Sequence, residues 1–231
     1  MIVEPARWRD PDGPLLLAES PYDQQPVPSR PNPYWQEVRS LPLDRLADVY
    51  AGTDHAIPVK LDGHYYPKLV QTYAHAIPTP ADVDWIADVL DGRGVVEVGA
   101  GNGYWAWQIS MAGADVRAYD RTPYCSVPGT APGPRYHSVE RGGHEVAAAC
   151  PDRALLLCWP PSENPLAADA LRAYTGDLLV YVGEHVGCST ADDDFFDLLE
   201  DGWTSLGHSP RHVTYGGLHC GVTAYRRKPP A

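Results

Sequence analysis

Two acidic residues and three alternating glycines stand close together in one part of this sequence. Glu97 lies in a run of β-branched residues, Gly99, Gly101 and Gly103 follow it, and Asp120 ends the next apolar run. Glycine reaches positive φ angles readily and lets a ligand lie against bare backbone. The segment therefore predicts a glycine turn that binds a ligand.

The elements that would position this turn are visible on either side of it. Residues 95–98 predict a short strand, residues 104–112 are long enough for a helix, and residues 116–119 predict a second strand. Parallel strands place their carboxyl ends, and the N-termini of the helices that follow them, around a point where nucleotides bind. The segment is therefore interpreted as half of a nucleotide-binding crevice.

The spacing of the glycines distinguishes between two classes of nucleotide-binding turn. A dinucleotide-binding turn needs a third glycine where this sequence has Tyr104. Glu97-x-Gly-x-Gly-x-Gly instead resembles the first motif of the class I S-adenosylmethionine-dependent methyltransferases. The resemblance implies S-adenosylmethionine as the cofactor, with Glu97 positioning its methionine ammonium end, the glycines passing under it and Asp120 binding both ribose hydroxyls. A hydride-transfer enzyme and an α/β domain with a plain tight turn remain as alternatives.

The resemblance covers about residues 69–227 and implies a Rossmann-like α/β fold, with a mostly parallel sheet whose last strand is antiparallel. The apolar pattern predicts helices over 34–40, 43–50, 66–76, 81–90, 145–150, 167–174 and from 192, and strands over 136–139, 154–159, 178–182, 203–206 and 218–225. Eight prolines before Tyr34 predict an extended arm. The expected division is an arm at 1–33, a helical cap at 34–80 and a class I methyltransferase domain at 81–231.

Further cofactor and pocket residues follow from the resemblance. Glu140, after the third predicted strand, is expected to contact the adenine. Trp159, Pro160, Pro161 and Ser162 lie where the family's fourth motif does, and they resemble the Asp/Asn-Pro-Pro-Tyr motif of enzymes that methylate amino groups of nucleic acids. The prolines are expected to form a rigid pocket wall. Trp159 is a candidate to face the sulfonium or the substrate, and plain core packing is the alternative for it. In this motif Trp159 stands in place of the acid or amide, and Ser162 stands in place of the aromatic residue. These differences disfavour the methylation of a nucleic-acid base.

A hydroxyl acceptor would need a general base, and histidine most often fills that role. Glu184 and His185 follow the predicted strand 178–182, at the edge of the sheet where substrates bind, and they are the first candidates. His75, in the helical cap, is the third. Helices before the first strand commonly cover the cofactor in this family and form a wall of the substrate pocket, which makes Tyr66 and Tyr73 pocket candidates. Core packing explains each of the two tyrosines equally well.

The composition of the sequence disfavours several classes of binding partner. The net charge is −12, and an acidic surface repels polyanions, so no nucleic-acid partner is expected. The sequence shows neither an apolar run of membrane-spanning length nor a signal-peptide pattern, so a cytoplasmic protein without a membrane partner is expected. The five cysteines are dispersed and include no Cys-x-x-Cys pair, which predicts reduced thiols and no metal site.

The function predicted from the sequence is an S-adenosylmethionine-dependent methyltransferase that acts on an oxygen or nitrogen of a small molecule. Two other functions fit the same sequence: a nucleic-acid or protein methyltransferase, and a non-catalytic module that binds S-adenosylmethionine. Apolar residues in the arm, such as Trp8 and Tyr22, suit it to lie across the domain or across a second copy in a homo-oligomer.

Overall fold

The structure is a computed structural model, and it describes residues 25–40, 49–51, 66–125, 132–215 and 218–229. Its helices are α1 (Pro33–Arg39), α2 (Tyr66–Thr72), α3 (Pro80–Leu90), α4 (Tyr104–Met111), α5 (Leu166–Ala173) and α6 (Asp193–Gly202), with a 3₁₀ helix at His144–Ala149. Its strands are β1 (Val49–Ala51), β2 (Val95–Val98), β3 (Val116–Asp120), β4 (Val139–Arg141), β5 (Ala154–Cys158), β6 (Leu178–Gly183), β7 (Trp203–His208), β8 (Val213–Tyr215) and β9 (Gly221–Arg227). None of the described helices has the length and apolar character needed to cross a membrane.

Seven of the strands form one sheet in the order β4-β3-β2-β5-β6-β9-β7. The pairs among β2 to β6 are parallel, whereas β9 lies antiparallel between β6 and β7. The chain builds the sheet outward from β2 to β4 and then continues on the other side with β5, so the topological switch point lies between β2 and β5. The predicted Rossmann-like sheet, mostly parallel with an antiparallel last strand, is confirmed.

Helices cover both faces of this sheet. Consecutive residues of a strand point to opposite faces, so Val95 and Leu156 pack on one side while Val96 and Leu155 pack on the other. Because both faces are buried, the central strands appear in the sequence as continuous apolar runs. The residues that cover the first side from α3 and α4 are Ile86, Leu90, Trp105 and Ile109, and those that cover the second side from α5 and α6 are Leu171, Phe195 and Leu199.

A tyrosine cluster, formed by Tyr34, Tyr73, Tyr104, Tyr136 and Tyr215, attaches α1 and the end of α2 to α4. The rings of Tyr34 and Tyr73 are stacked with centroids 4.9 Å apart, and Tyr104 meets Tyr136 edge-on at 4.7 Å. The hydroxyl of Tyr104 accepts a hydrogen bond from the backbone N–H of Tyr34 at 2.9 Å. The helix that follows the glycine turn is therefore held by residues from the N-terminal part of the chain.

Asn32 anchors the segment that precedes α1. Its Oδ1 accepts hydrogen bonds from the backbone N–H of Trp35, which caps α1, and from the hydroxyl of Tyr104. Its Nδ2 donates to the carbonyl of Pro78 at 2.6 Å. Residues 25–33, the described part of the predicted arm, are thus attached to the fold at Asn32, whereas residues 1–24 fall outside the described residues.

Two predicted helices of the cap differ from the structure. The helix predicted over 66–76 ends at Thr72. The helix predicted over 43–50 lies mostly outside the described residues, and its last two residues, Val49 and Tyr50, belong to β1 instead. β1 pairs with β8, which comes from the far end of the chain, and such a non-local partner overrides the local helical pattern.

A buried ion pair fixes the N-terminus of α3. Thr79 and Asp82 form a capping box, in which each side chain accepts a hydrogen bond from the other residue's backbone N–H. Oδ2 of Asp82 also lies 2.8 Å from Nδ1 of His212, in the segment before β8, and both side chains are buried. Burial opposes a charged imidazole, but the negative charge of Asp82 outweighs this effect, and the pKa of His212 rises to about 10. The imidazole is therefore charged at neutral pH.

Candidate functional site

A cavity of about 430 Å³ opens at the carboxyl ends of β2, β3 and β5, beside the switch point of the sheet. This volume lies within the range of small-molecule and cofactor sites. The residues that form its walls include Glu97, residues 99–102 of the glycine turn, Asp120 at the end of β3 and Thr122 after it, Cys158 at the end of β5, Trp159, Pro161 and Ser162 after that strand, and His75 from the segment after α2. The sequence-predicted ligand turn and the cavity therefore coincide.

The glycine turn has a backbone conformation that strains other residues. The φ angle is 82° at Gly99, 55° at Gly101 and 79° at Gly103. A Cβ on Gly103 would lie 2.9 Å from the Cβ of His137, closer than two such atoms approach. The backbone N–H of Gly99 donates to the carbonyl of Tyr119 at 2.8 Å, which ties the turn to β3. The turn therefore needs glycine at these positions, and its residues 99–102 line the cavity.

Asp120 fixes the glycine turn as well as lining the cavity. Its Oδ2 accepts a hydrogen bond from the backbone N–H of Gly101 at 2.9 Å, and its Oδ1 accepts from the backbone N–H and the hydroxyl of Thr122 at 2.7 and 3.3 Å. A carboxylate has about four acceptor sites, so about one remains for a ligand. The structural role of Asp120 in the turn is a finding that the sequence did not predict.

Glu97 reaches the cavity from within β2. Its side chain is only 1% exposed, and its Oε2 has no hydrogen-bond partner among the described residues. Burial, reinforced by the negative charge of Asp120, raises the pKa of Glu97 to about 8. An unpartnered buried acceptor is unfavourable by about 1–3 kcal/mol. A ligand that places a hydrogen-bond donor or a cation beside this carboxyl group would remove that penalty.

Trp159 and His75 form an aromatic wall of the cavity. Their rings are stacked, with centroids 5.8 Å apart and planes inclined by 12°. The backbone of Trp159 has a φ of 49°, and its N–H donates to the carbonyl of Val182 at 2.7 Å. Next to it, burial and the negative charge of Glu97 raise the pKa of the Cys158 thiol, so this thiol is neutral and poorly nucleophilic at physiological pH.

Glu140 does not reach the cavity. The third strand of the prediction, 136–139, is observed as Val139–Arg141, so Glu140 lies in the middle of β4 and is exposed, rather than following the strand. The residue of this segment that lines the cavity is Gly142. The predicted adenine contact of Glu140 therefore has no support from its position.

The other predicted pocket residues divide between the cavity wall and the core. Pro161 lines the cavity, while Pro160 is buried and does not line it. Tyr73 lies in the tyrosine cluster, where its hydroxyl donates to a carboxylate oxygen of Glu37 at 2.5 Å. Tyr66 begins α2, and its side chain is outside what the structure describes.

The structure does not bring Glu184 and His185 into the cavity. Both carboxylate oxygens of Glu184 accept backbone hydrogen bonds, from His219 at 2.7 Å and from Ser189 at 2.8 Å, so this buried side chain is a loop anchor. His185 is exposed, and its ring lies beside Cys188 instead of the cavity. The residue of this loop that lines the cavity is Ser189.

Asn102 is a cavity residue that sequence reasoning did not select. It lies between Gly101 and Gly103 and is buried, with its Nδ2 donating to the carbonyl of Thr72 at 3.1 Å and its Oδ1 accepting from the backbone N–H of Tyr104 at 3.3 Å. The side chain therefore joins the glycine turn to the end of α2. Its position inside the glycine motif was a signal that could have identified it.

No protein-family model matches the sequence, and no curated protein matches it significantly. Among solved structures, the chain is similar to magnesium protoporphyrin IX methyltransferase of Synechocystis (13% identity, 63% of this chain and 82% of that chain, TM-score 0.40). It is also similar to 1,6-didemethyltoxoflavin-N1-methyltransferase of Burkholderia thailandensis (16%, 64% and 77%, TM-score 0.40) and to human N-acetylserotonin methyltransferase (10%, 64% and 52%, TM-score 0.42). At these values the similarities say nothing about the substrate or the activity of this chain.

Proposed function

We propose that the chain is an S-adenosylmethionine-dependent methyltransferase that acts on an oxygen or nitrogen of a small molecule. One observation carries the proposal: the cavity at the switch point contains two carboxyl groups in different settings, Glu97 buried with an unpartnered oxygen and Asp120 at the rim of the glycine turn. S-adenosylmethionine presents a complementary set of groups, namely an ammonium, a sulfonium and two ribose hydroxyls.

The ammonium, the sulfonium and one of the ribose hydroxyls each have a residue suited to them. Glu97 supplies a buried carboxyl group for the ammonium, since a nearby cation favours the ionised acid. The remaining acceptor site of Asp120 suits a ribose hydroxyl. Trp159 offers an aromatic face, which attracts a cation such as the sulfonium. When bound, S-adenosylmethionine supplies an already activated methyl group.

The work left to the protein is alignment of the acceptor, exclusion of water and, for a hydroxyl acceptor, removal of its proton. His75 is the proposed general base, because it lines the cavity whereas His185 does not. The stack on Trp159 fixes the plane of the His75 ring. A nitrogen acceptor that is already neutral in the cavity would need alignment alone.

The choice of a small-molecule acceptor is supported by charge and by the loop after β5. The chain carries a net charge of −12, which disfavours a polyanionic substrate. Trp159 and Ser162 line the cavity in place of the residues that bind a flipped base in the related motif. Methyl-labelled donor incubated with the protein and a cell extract tests the choice: label in the small-molecule fraction supports it, and label on protein or nucleic acid contradicts it. Donor binding without any transfer would indicate the non-catalytic module.

Asp120→Ala is expected to weaken the binding of S-adenosylhomocysteine by roughly 2 kcal/mol, about 30-fold, because it removes a charge-assisted acceptor and loosens the glycine turn. Titration calorimetry measures the affinity. Asp152→Ala, which removes the same charge from an exposed loop, is the matched control and should bind as the wild type does. Equal affinities in the two variants would remove the support for this cofactor site.

Cofactor binding is expected to release close to one proton at pH 7. The free protein holds Glu97 largely protonated, since its pKa is about 8, and an ammonium placed beside it favours the ionised form. Calorimetric titrations in buffers of different ionisation enthalpy measure the number of protons released. No proton should be released when the cofactor saturates the variant Glu97→Gln. A wild-type binding enthalpy that does not depend on the buffer would contradict the pairing of Glu97 with a cationic group.

A further inference from the structure

Two potential metal ligands lie in a tight turn after β6. The backbone N–H of Cys188 donates to the carbonyl of His185 at 3.2 Å, which closes the turn, and Gly187 has a φ of 81° that suits glycine. The closed turn brings both side chains together. Sγ of Cys188 lies 3.7 Å from Nδ1 and 3.8 Å from Nε2 of His185.

A third potential ligand, His219, comes from the segment before β9. Its ring centroid is 5.4 Å from that of His185, and one ligand atom from each of His185, Cys188 and His219 lies within 4.8 Å of the other two. Glu184 holds the two segments together, because one carboxylate oxygen accepts from the backbone of His219 and the other from the backbone of Ser189. The buried carboxylate thus builds the cluster without being one of its ligands.

We propose that His185, Cys188 and His219 form a zinc-binding site with three protein ligands and a fourth position open to water or to an exogenous ligand. Thiolate and imidazole are the ligands that zinc prefers, whereas magnesium and calcium prefer oxygen. Zinc bonds of about 2.3 Å to sulfur and about 2.0–2.1 Å to nitrogen separate tetrahedral ligands by about 3.3–3.7 Å. The cluster is therefore wider than a closed site by about 1 Å, a distance that rotations of exposed side chains can cover.

The surroundings favour a cation at this place. The chain carries a net charge of −12, and the buried carboxylate of Glu184 contacts the backbone of His219 and of Ser189, the residue after Cys188. Binding converts the Cys188 thiol to a zinc-bound thiolate, and the proton passes to solvent. Ser189 lines the proposed cofactor cavity, so the loop that carries two of the ligands also reaches that cavity. The metal site itself does not depend on the identity of the cofactor.

The test uses the full-length protein without an affinity tag, stripped of metal by a chelator. Zn²⁺ titrated against a chromophoric chelator should show one tight site per chain that excess Mg²⁺ does not occupy. Co²⁺ used in place of Zn²⁺ should give a thiolate-to-cobalt charge-transfer band and the visible absorption of a tetrahedral ion.

The variants Cys188→Ser and His219→Ala should each weaken zinc binding by roughly 100-fold or more, and Cys188→Ser should abolish the charge-transfer band. Matched controls are Cys125→Ser and His208→Ala, which remove a cysteine and an exposed histidine elsewhere and should bind zinc as the wild type does. Unchanged circular dichroism in all four variants shows that the fold is intact. Zinc affinities of Cys188→Ser and His219→Ala within about threefold of the wild type, or a cobalt complex without the charge-transfer band, would overturn the proposal.

Discussion

His212→Leu is expected to lower the free energy of unfolding by about 3–5 kcal/mol, the typical penalty for removing one partner of a buried ion pair. Leucine is apolar and of similar size, so the loss arises from Asp82, whose carboxylate stays buried without its cation. Urea unfolding followed by tryptophan fluorescence measures the difference. The double variant Asp82→Asn/His212→Leu should recover part of the loss, because an amide carries no charge.

An exposed ion pair provides the control for this result. Arg172 lies 2.8 Å from Asp194 on the surface, and exposed pairs contribute about 0–1 kcal/mol. Arg172→Leu should therefore change the free energy of unfolding by less than about 1 kcal/mol. If Arg172→Leu and His212→Leu lowered the free energy of unfolding equally, the buried pair of Asp82 and His212 would be no more stabilising than the exposed pair.

The buried pair also gives the stability a defined pH dependence. The pKa of His212 is about 10 in the folded protein and about 6.5 in an unfolded chain, so folding favours the protonated ring. Its contribution is fully present below about pH 6.5 and is lost as the pH rises through 10. The difference in unfolding free energy between wild type and His212→Leu should shrink over that interval, and a difference that grows with pH would contradict the charged state of His212.

His75→Phe is expected to reduce the rate of methyl transfer to a hydroxyl acceptor by ~10²–10⁴-fold, the usual contribution of a positioned general base. Phenylalanine keeps an aromatic ring stacked on Trp159 but has no nitrogen to accept the proton. Affinity for S-adenosylhomocysteine should stay near that of the wild type, because Glu97, Asp120 and the glycine turn are unchanged.

Single-turnover transfer measured against pH, with the acceptor found by the labelling experiment, is the suitable assay. His208→Phe, at an exposed position in β7, is the matched control and should transfer the methyl group at the wild-type rate. A His75→Phe rate within about threefold of wild type from about pH 6 to 9 would exclude His75 as the base. If His185→Ala lowered the rate of methyl transfer and His75→Phe did not, His185 would be the base, as the sequence predicts.

The parts of the fold that depend on local pattern could be predicted from the sequence. The β-branched run at Val95–Val98 and the apolar run at Ala154–Cys158 are strands because central parallel strands are buried on both faces. β1 could not be predicted, because it forms only through pairing with β8 across most of the chain. The β4 boundary was misplaced for a related reason, since its register is set by pairing with β3.

The candidate site also contains some residues that the sequence pattern predicts and others that depend on the tertiary fold. Gly99, Gly101 and Asp120 line the cavity and could be selected from the sequence, the glycines because a tight turn needs them and Asp120 because it matches the family's acid at the end of the second strand. The position of His185 was not predictable, because it depends on how the loop after β6 folds back and is held by Glu184. The ionisation of Glu97 likewise depends on tertiary burial, which no sequence pattern reports.

The backbone of Trp159 is strained at the wall of the cavity. A φ of 49° costs an ordinary L-amino acid roughly 1–2 kcal/mol, and glycine would remove that penalty. A bulky aromatic residue in an unfavourable backbone conformation at a cavity wall places local strain beside a ligand site, which makes Trp159 a candidate for a functional role rather than a stabilising one.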